Sequence, residues 1–87
     1  MRKPQIIPFP LARRRAYVQK LAAQMLARPP DLADKHLLAQ LRRQERTLVR
    51  KGVVPKAVAA ELRALEAAVR TEIWRLVMMP HRPNGAA

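Results

Sequence analysis

The sequence predicts an all-α protein: an extended, proline-rich N-terminal arm followed by a three-helix bundle, or by a long helical hairpin with a third helix. Three observations carry this. From Pro55 to Met79, Val58, Leu62, Leu65, Val69, Ile73 and Leu76 recur at four- and three-residue steps, so they share one face of a helix. At roughly 1.5 Å per residue that helix is about 37 Å long, and the upstream chain reads as cover for its apolar stripe. Prolines at 29–30, 55 and 80 punctuate the chain, and the segments between them repeat the helical spacing.

The first ten residues, MRKPQIIPFP, hold three prolines, which fix φ and hold their predecessors extended. Residues 1–10 are therefore read as an arm. Ile6, Ile7 and Phe9 are too apolar for a purely solvated tail. Either they pack across the bundle and cap its core, or they form a short linear motif for a partner groove.

The first helix is expected from Leu11 to Ala27, with Pro10 suited to a first helical position. Leu11, Val18, Leu21, Ala22 and Met25 form its stripe, with Leu26 beside it. Pro29 and Pro30 end it. Asp31 is read as the N-cap of the second helix, with Asp34 three residues on as a short-armed capping box. Leu37, Leu41 and Leu48 mark the buried face, with Leu38 and Val49 on its flank. Gln44 falls inside that stripe, where it needs a hydrogen-bond partner or must carry its side chain to the edge.

Lys51-Gly52 closes the second helix with a cation in the last turn and a glycine just beyond. Val53 is placed to touch Leu48 across a Schellman-type cap and Val58 as a hydrophobic staple, with Pro55 opening the third helix. A turn this short makes the second and third helices antiparallel neighbours. Residues 11–79 form one helical domain, and residues 80–87 read as a flexible C-terminal tail.

Composition narrows the partners. The chain has 87 residues, no cysteine, and a net charge of +12 from 18 Lys+Arg against 6 Asp+Glu. Without disulfides or thiolate-held metal, so small a chain is marginal alone, and oligomerisation is one way to bury more area. The absence of cysteine fits a reducing cytoplasm. The charge attracts polyanions: DNA or RNA, an anionic membrane, or an acidic protein. It is uneven, since residues 1–28 hold seven cations and no acid. The competing reading is that an arginine-rich composition merely keeps a small protein in solution. No apolar run approaches the ~20 residues of a membrane span. Pro8, Pro10 and the arginines at 13–15 interrupt what would otherwise resemble a signal peptide. Attachment to a membrane surface ranks low because aromatics are scarce.

Three clusters stand out. Arg13, Arg14 and Arg15, placed in the first turn of the first helix, oppose its dipole, which favours anions at that end. Free backbone N–H groups with arginine suit a phosphate. The alternative is that the stems of Arg14 and Arg15 cover the core edge. Lys35, Arg42, Arg43, Arg46 and Arg50 fall within about a third of the second helix's circumference, opposite Leu37, Leu41 and Leu48. Such faces are usually just solvated. Here the acids at i,i+4 spacing are few, with Asp31 in reach of Lys35, and the five cations form a candidate phosphate-binding ridge. Trp74 lies about 140° from the centre of the third helix's stripe, with Arg63 and Arg70 near it and Lys56 on the same line. Exposed, it would stack on a base or anchor an interface; the reading preferred here is that the arm or the first helix covers it. Beside it run Ala57, Ala60, Ala64, Ala67 and Ala68, either helix-favouring filler or a face that lets another helix approach closely.

Little points to catalysis. His36 is expected on the polar face of the second helix and His81 in the tail, neither at metal-ligand spacing. The acids read as caps and as salt-bridge partners such as Glu66 with Arg70. No glycine-rich phosphate loop exists. The expectation is a non-enzyme without cofactor or metal.

Ile7-Pro8-Phe9-Pro10-Leu11-Ala12-Arg13-Arg14-Arg15, then Lys35-His36-Leu37, then Leu65-Glu66-Ala67-Ala68 with Glu72-Ile73-Trp74-Arg75 carry a resemblance. The chain resembles, over nearly its whole length, a family of short, basic, uncharacterised alphaproteobacterial proteins, a domain of unknown function. The resemblance implies a small, stand-alone, cytoplasmic bacterial protein and no activity or ligand.

The leading expectation is a non-catalytic basic helical protein that contacts nucleic-acid phosphates with little sequence preference. The alternative is an interaction protein that forms a homodimer or docks a partner through the third helix and the arm, using Ile7, Phe9 and Trp74. The long helices argue against a helix-turn-helix and groove reading.

Overall fold

The computed structural model describes residues 10–78. Within them the chain forms a 3-10 turn, Leu11–Arg13, and three helices: α1, Arg15–Leu26; α2, Pro30–Arg50; and α3, Pro55–Met78. No strand occurs among the described residues. The choice between bundle and hairpin resolves as a bundle, because each of the three helices touches both others. The arm at residues 1–9, with Ile7 and Phe9, and residues 79–87 lie outside the described residues.

α2 and α3 form an antiparallel hairpin, and its turn follows from Lys51-Gly52-Val53. Gly52 adopts φ 89°, where a side chain would clash. Its N–H donates to Val49 O at 3.0 Å and that of Val53 to Leu48 O at 3.1 Å, the two bonds of a Schellman motif. Leu48, Val53 and Val58 are all buried in the core, as the cap and staple readings require. Pro55 opens α3 at the expected position.

α1 has 12 residues against 21 in α2 and 24 in α3, so it covers only part of the hairpin. It runs antiparallel to α2: Tyr17 meets Gln44, and Gln24 meets His36. The Leu11 turn extends the cover over the first half of α3. Leu11, Leu21, Leu37, Leu65 and Val69 are fully buried. Each such side chain contributes about 1.5–3 kcal/mol relative to exposure. The stripes read from the sequence are these core positions, with Leu41, Leu62, Ile73 and Leu76 partly buried against them.

Two helix starts differ from expectation. The first helix does not run unbroken from Leu11. Arg14, at φ −81° and ψ 82°, interrupts it, and α1 begins at Arg15 with no side-chain cap. Arginine supplies neither a capping oxygen nor an acid for the dipole, and the chain forms a tighter turn, Leu11–Arg13, before α1 begins. The N–H of Leu11 donates instead to Glu61 Oε1 of α3, at 2.9 Å. Asp31 is not the N-cap of α2. Pro29 holds that position, its carbonyl accepting from Ala33 N–H at 2.8 Å, and Pro30 is the first helical residue. Its fixed φ suits that place, and Asp31 moves into the first turn, where it still complements the dipole. Ala33 is buried although it was not counted among the core residues.

Candidate nucleic-acid interface

The ridge on α2 is assembled as the helical spacing predicts. Lys35, Arg42, Arg43, Arg46 and Arg50 are all exposed, on the side of α2 turned away from buried Ala33, Leu37 and Leu48. From Lys35 to Arg50 the ridge is about 22 Å long. Among the described residues none of these five has a carboxylate within 4 Å; the ion pairs are Arg70 with Asp34 and Glu66, and Arg75 with Glu72.

The acids go elsewhere for structural reasons. Asp34 reaches across to α3 and meets Arg70 at 3.5 Å, rather than serving α2. Glu66 joins Arg70 at 3.2 Å, the i,i+4 pair read from the sequence. Glu72 bonds Arg75 at 2.6 Å, and that hydrogen bond, followed by the Arg75 and Arg15 charges, holds its carboxyl below the usual range. Glu61 is occupied by the Leu11 N–H. Asp31 and Glu45 are exposed on α2 and have no ion pair among the described residues, so the Asp31–Lys35 contact within reach in the sequence is not made.

The arginines at 13–15 do not act as one cluster. Arg13 is exposed in the 3-10 turn. Arg14 is half-buried and has an interaction partner, which suits the core-edge reading. Arg15 lines a groove between α1 and α3 with Ala12, Val18, Ala67, Thr71 and Glu72. Its charge is directed at Glu72 and away from the α2 ridge. The sequence treated these two basic groups as parts of one surface, and the bundle sets them on different faces.

His36 corrects a reading too. It is half-buried rather than on the polar face, and its Nε2 donates to Gln24 Oε1 of α1 at 2.7 Å. Burial, then the Arg28 charge, pushes its pKa below the ordinary value. No three metal-ligating side chains cluster among the described residues. Gln44 finds the partner its position demanded, donating to the Tyr17 hydroxyl at 3.1 Å.

Trp74 is 60% exposed, so α1 does not cover it, contrary to half of the covered reading; the arm lies outside the described residues. Leu38 and Val49, on the flank of the α2 stripe, are exposed apolar residues beside the ridge.

Comparison with known proteins adds one match. The model of a family of unknown function, DUF6074, covers residues 2–84. The chain belongs to DUF6074. No curated protein and no solved structure matches it. Within the described part of this DUF6074 chain, no helix is long and apolar enough to cross a membrane.

Proposed function

We propose that the protein is a small, non-catalytic, basic helical module whose α2 ridge contacts nucleic-acid phosphates without strong sequence preference. The observation that supports it is the division of charge. Four of the six acids are engaged at other places, while Lys35, Arg42, Arg43, Arg46 and Arg50 stay exposed along one line with no ion pair among the described residues. A chain that used arginine only to stay in solution has no reason to keep its acids off one face. Arg13, exposed in the turn before α1, lends further charge. A bacterial, alphaproteobacterial source and a cytoplasmic location belong to the same reading.

Over the length of the ridge, duplex DNA carries on the order of a dozen phosphates, so five contacts are sterically reasonable. Five neutralised phosphates give a slope of log K against log salt of about −4 to −5 on duplex DNA. The test is a titration of mixed-sequence duplex DNA and RNA, followed by anisotropy at low and near-physiological salt. Binding that persists at near-physiological salt with that slope supports the ridge. Binding confined to low salt is what any protein of this charge shows, and it removes the proposal. Arg42→Ala is expected to weaken binding to all sequences alike and to lower the slope by about one unit. An unchanged slope excludes Arg42 from the contacts.

A second reading, an interaction protein working through α3, is favoured by the exposure of Trp74.

A further inference from the structure

The solvent side of α3 holds apolar surface that the bundle does not use. Trp74, Val77 and Met78 are 60%, 56% and 57% exposed at its C-terminal end. Toward the N-terminal end the same side carries Ala60, Ala64 and Ala67, all exposed, with Lys56 and Arg63 along its edge. Together with Thr71 these positions form a seam, Ala60, Ala64, Ala67, Thr71, Trp74 and Met78, at alternating four- and three-residue steps. It is about 27 Å long and lies roughly opposite the buried stripe of Val58, Leu65 and Val69.

We infer that this seam pairs with the same seam of a second copy of the chain, the two α3 helices running antiparallel and crossing at Ala67. Shape argues for it first. The seam is bulky at one end and small at the other, so head-to-tail pairing fits each half to its complement. With Ala67 on the two-fold axis, Trp74 of each copy lies over Ala60 of the other, and Ala64 faces Thr71. Parallel pairing instead sets indole on indole and leaves alanine facing alanine, with poorer filling at both ends.

Charge argues for it independently. In the antiparallel register the edge of the seam next to α1 brings Glu61 of one copy, whose carboxylate also holds the Leu11 N–H, toward the Arg75–Glu72 pair of the other, twice by symmetry. On the other edge, exposed Arg63 approaches the second copy's Arg70. That guanidinium is already met by Asp34 at 3.5 Å and Glu66 at 3.2 Å, so the cluster has a net charge of −1.

The size of the contact sets its strength. A strip of this length and about 10 Å width, counted on both copies, falls well under the ~1,200 Å² of a standard stable interface. The groove lined by Arg15, Val18 and Thr71 opens beside the seam and adds an α1 rim to it. The pairing is therefore weak and reversible, with Trp74 as its anchor. It uses α3 and leaves the α2 ridge free, so it stands or falls separately from phosphate binding.

The chain has no cysteine, which makes single-cysteine variants clean probes. Sedimentation equilibrium of the full chain from about 1 to about 200 µM is expected to show monomer passing to dimer, and Trp74→Ala is expected to weaken that association at least tenfold. Under mild oxidation Ala67→Cys forms a disulfide-linked dimer. Ala60→Cys does not, because its two sulfur-bearing positions lie about 21 Å apart, far beyond the ~7 Å that a disulfide bridges. An equimolar mixture of Ala60→Cys and Trp74→Cys cross-links between copies. Positions 60, 67 and 74 are exposed, and circular dichroism of each variant confirms the fold. A chain that stays monomeric throughout overturns the proposal and leaves the seam to another occupant. A dimer in which Ala60→Cys cross-links as readily as Ala67→Cys overturns the antiparallel register.

Discussion

At the clasp between α1 and α2, the His36 imidazole donates to Gln24 while the Arg28 guanidinium lies close by, itself held by the Gln24 carbonyl at 2.6 Å. The hydrogen bond survives in either protonation state, since Nε2 keeps its proton in both. The cost of protonation lies in burial and in the Arg28 charge, which together hold the pKa below its ordinary 6.5. The unfolded chain therefore binds more protons than the folded one between the lowered value and 6.5. Stability is full above that window and declines as pH falls through it. Thermal melts at about pH 8 and about pH 5.5 should show the lower midpoint at the acid end. His36→Gln, which keeps an amide donor and leaves His81 in place, should shrink the difference. A pH dependence identical in the variant assigns the effect to another group.

The α2–α3 turn is the element that the sequence specified most completely. Lys51-Gly52-Val53-Val54-Pro55 contains the cap, the positive-φ residue, the staple and the first helical residue, each recognisable from residue type alone. Gly52→Ala forces a side chain into that conformation, at a cost of roughly 1–2 kcal/mol, enough to lower the melting temperature by about 5–15 °C. An unchanged melt would show that the turn adapts without its glycine. The two misread helix starts have a common cause. Capping preferences rank one residue at a time, while backbone constraints act in pairs. At Pro29-Pro30 the fixed φ of the second proline outranked the carboxylate of Asp31, and at Arg13–Arg15 the lack of any capping oxygen let the chain tighten into a 3-10 turn. Element existence was fixed by long periodic stripes, which average over such details.

Over the whole molecule, the bundle separates two surfaces: a cationic line on α2 and an apolar seam on α3. The first was legible because both its pattern and its cations lie on one helix, and helical geometry alone places them. The second was only half legible. Where Trp74 sits on α3 follows from periodicity, but whether anything covers it is set by how the neighbouring elements pack and not by α3 itself. His36 was misplaced for the same reason, because its burial is decided by Gln24 on a neighbouring helix and not by its own. Residues whose environment is set within one element could be read from the sequence, and those set by a second element could not.

The exposure of Trp74 also decides what light the protein emits. An indole already 60% exposed in the folded bundle changes its surroundings little when the chain unfolds. Heating a dilute, monomeric sample should therefore abolish the helical circular dichroism cooperatively while the emission maximum hardly moves. A marked red shift during that melt would mean the ring is covered in the monomer. Trp74 is the only tryptophan. The intrinsic fluorescence of this protein consequently ignores its folding and answers to whatever comes to rest on α3.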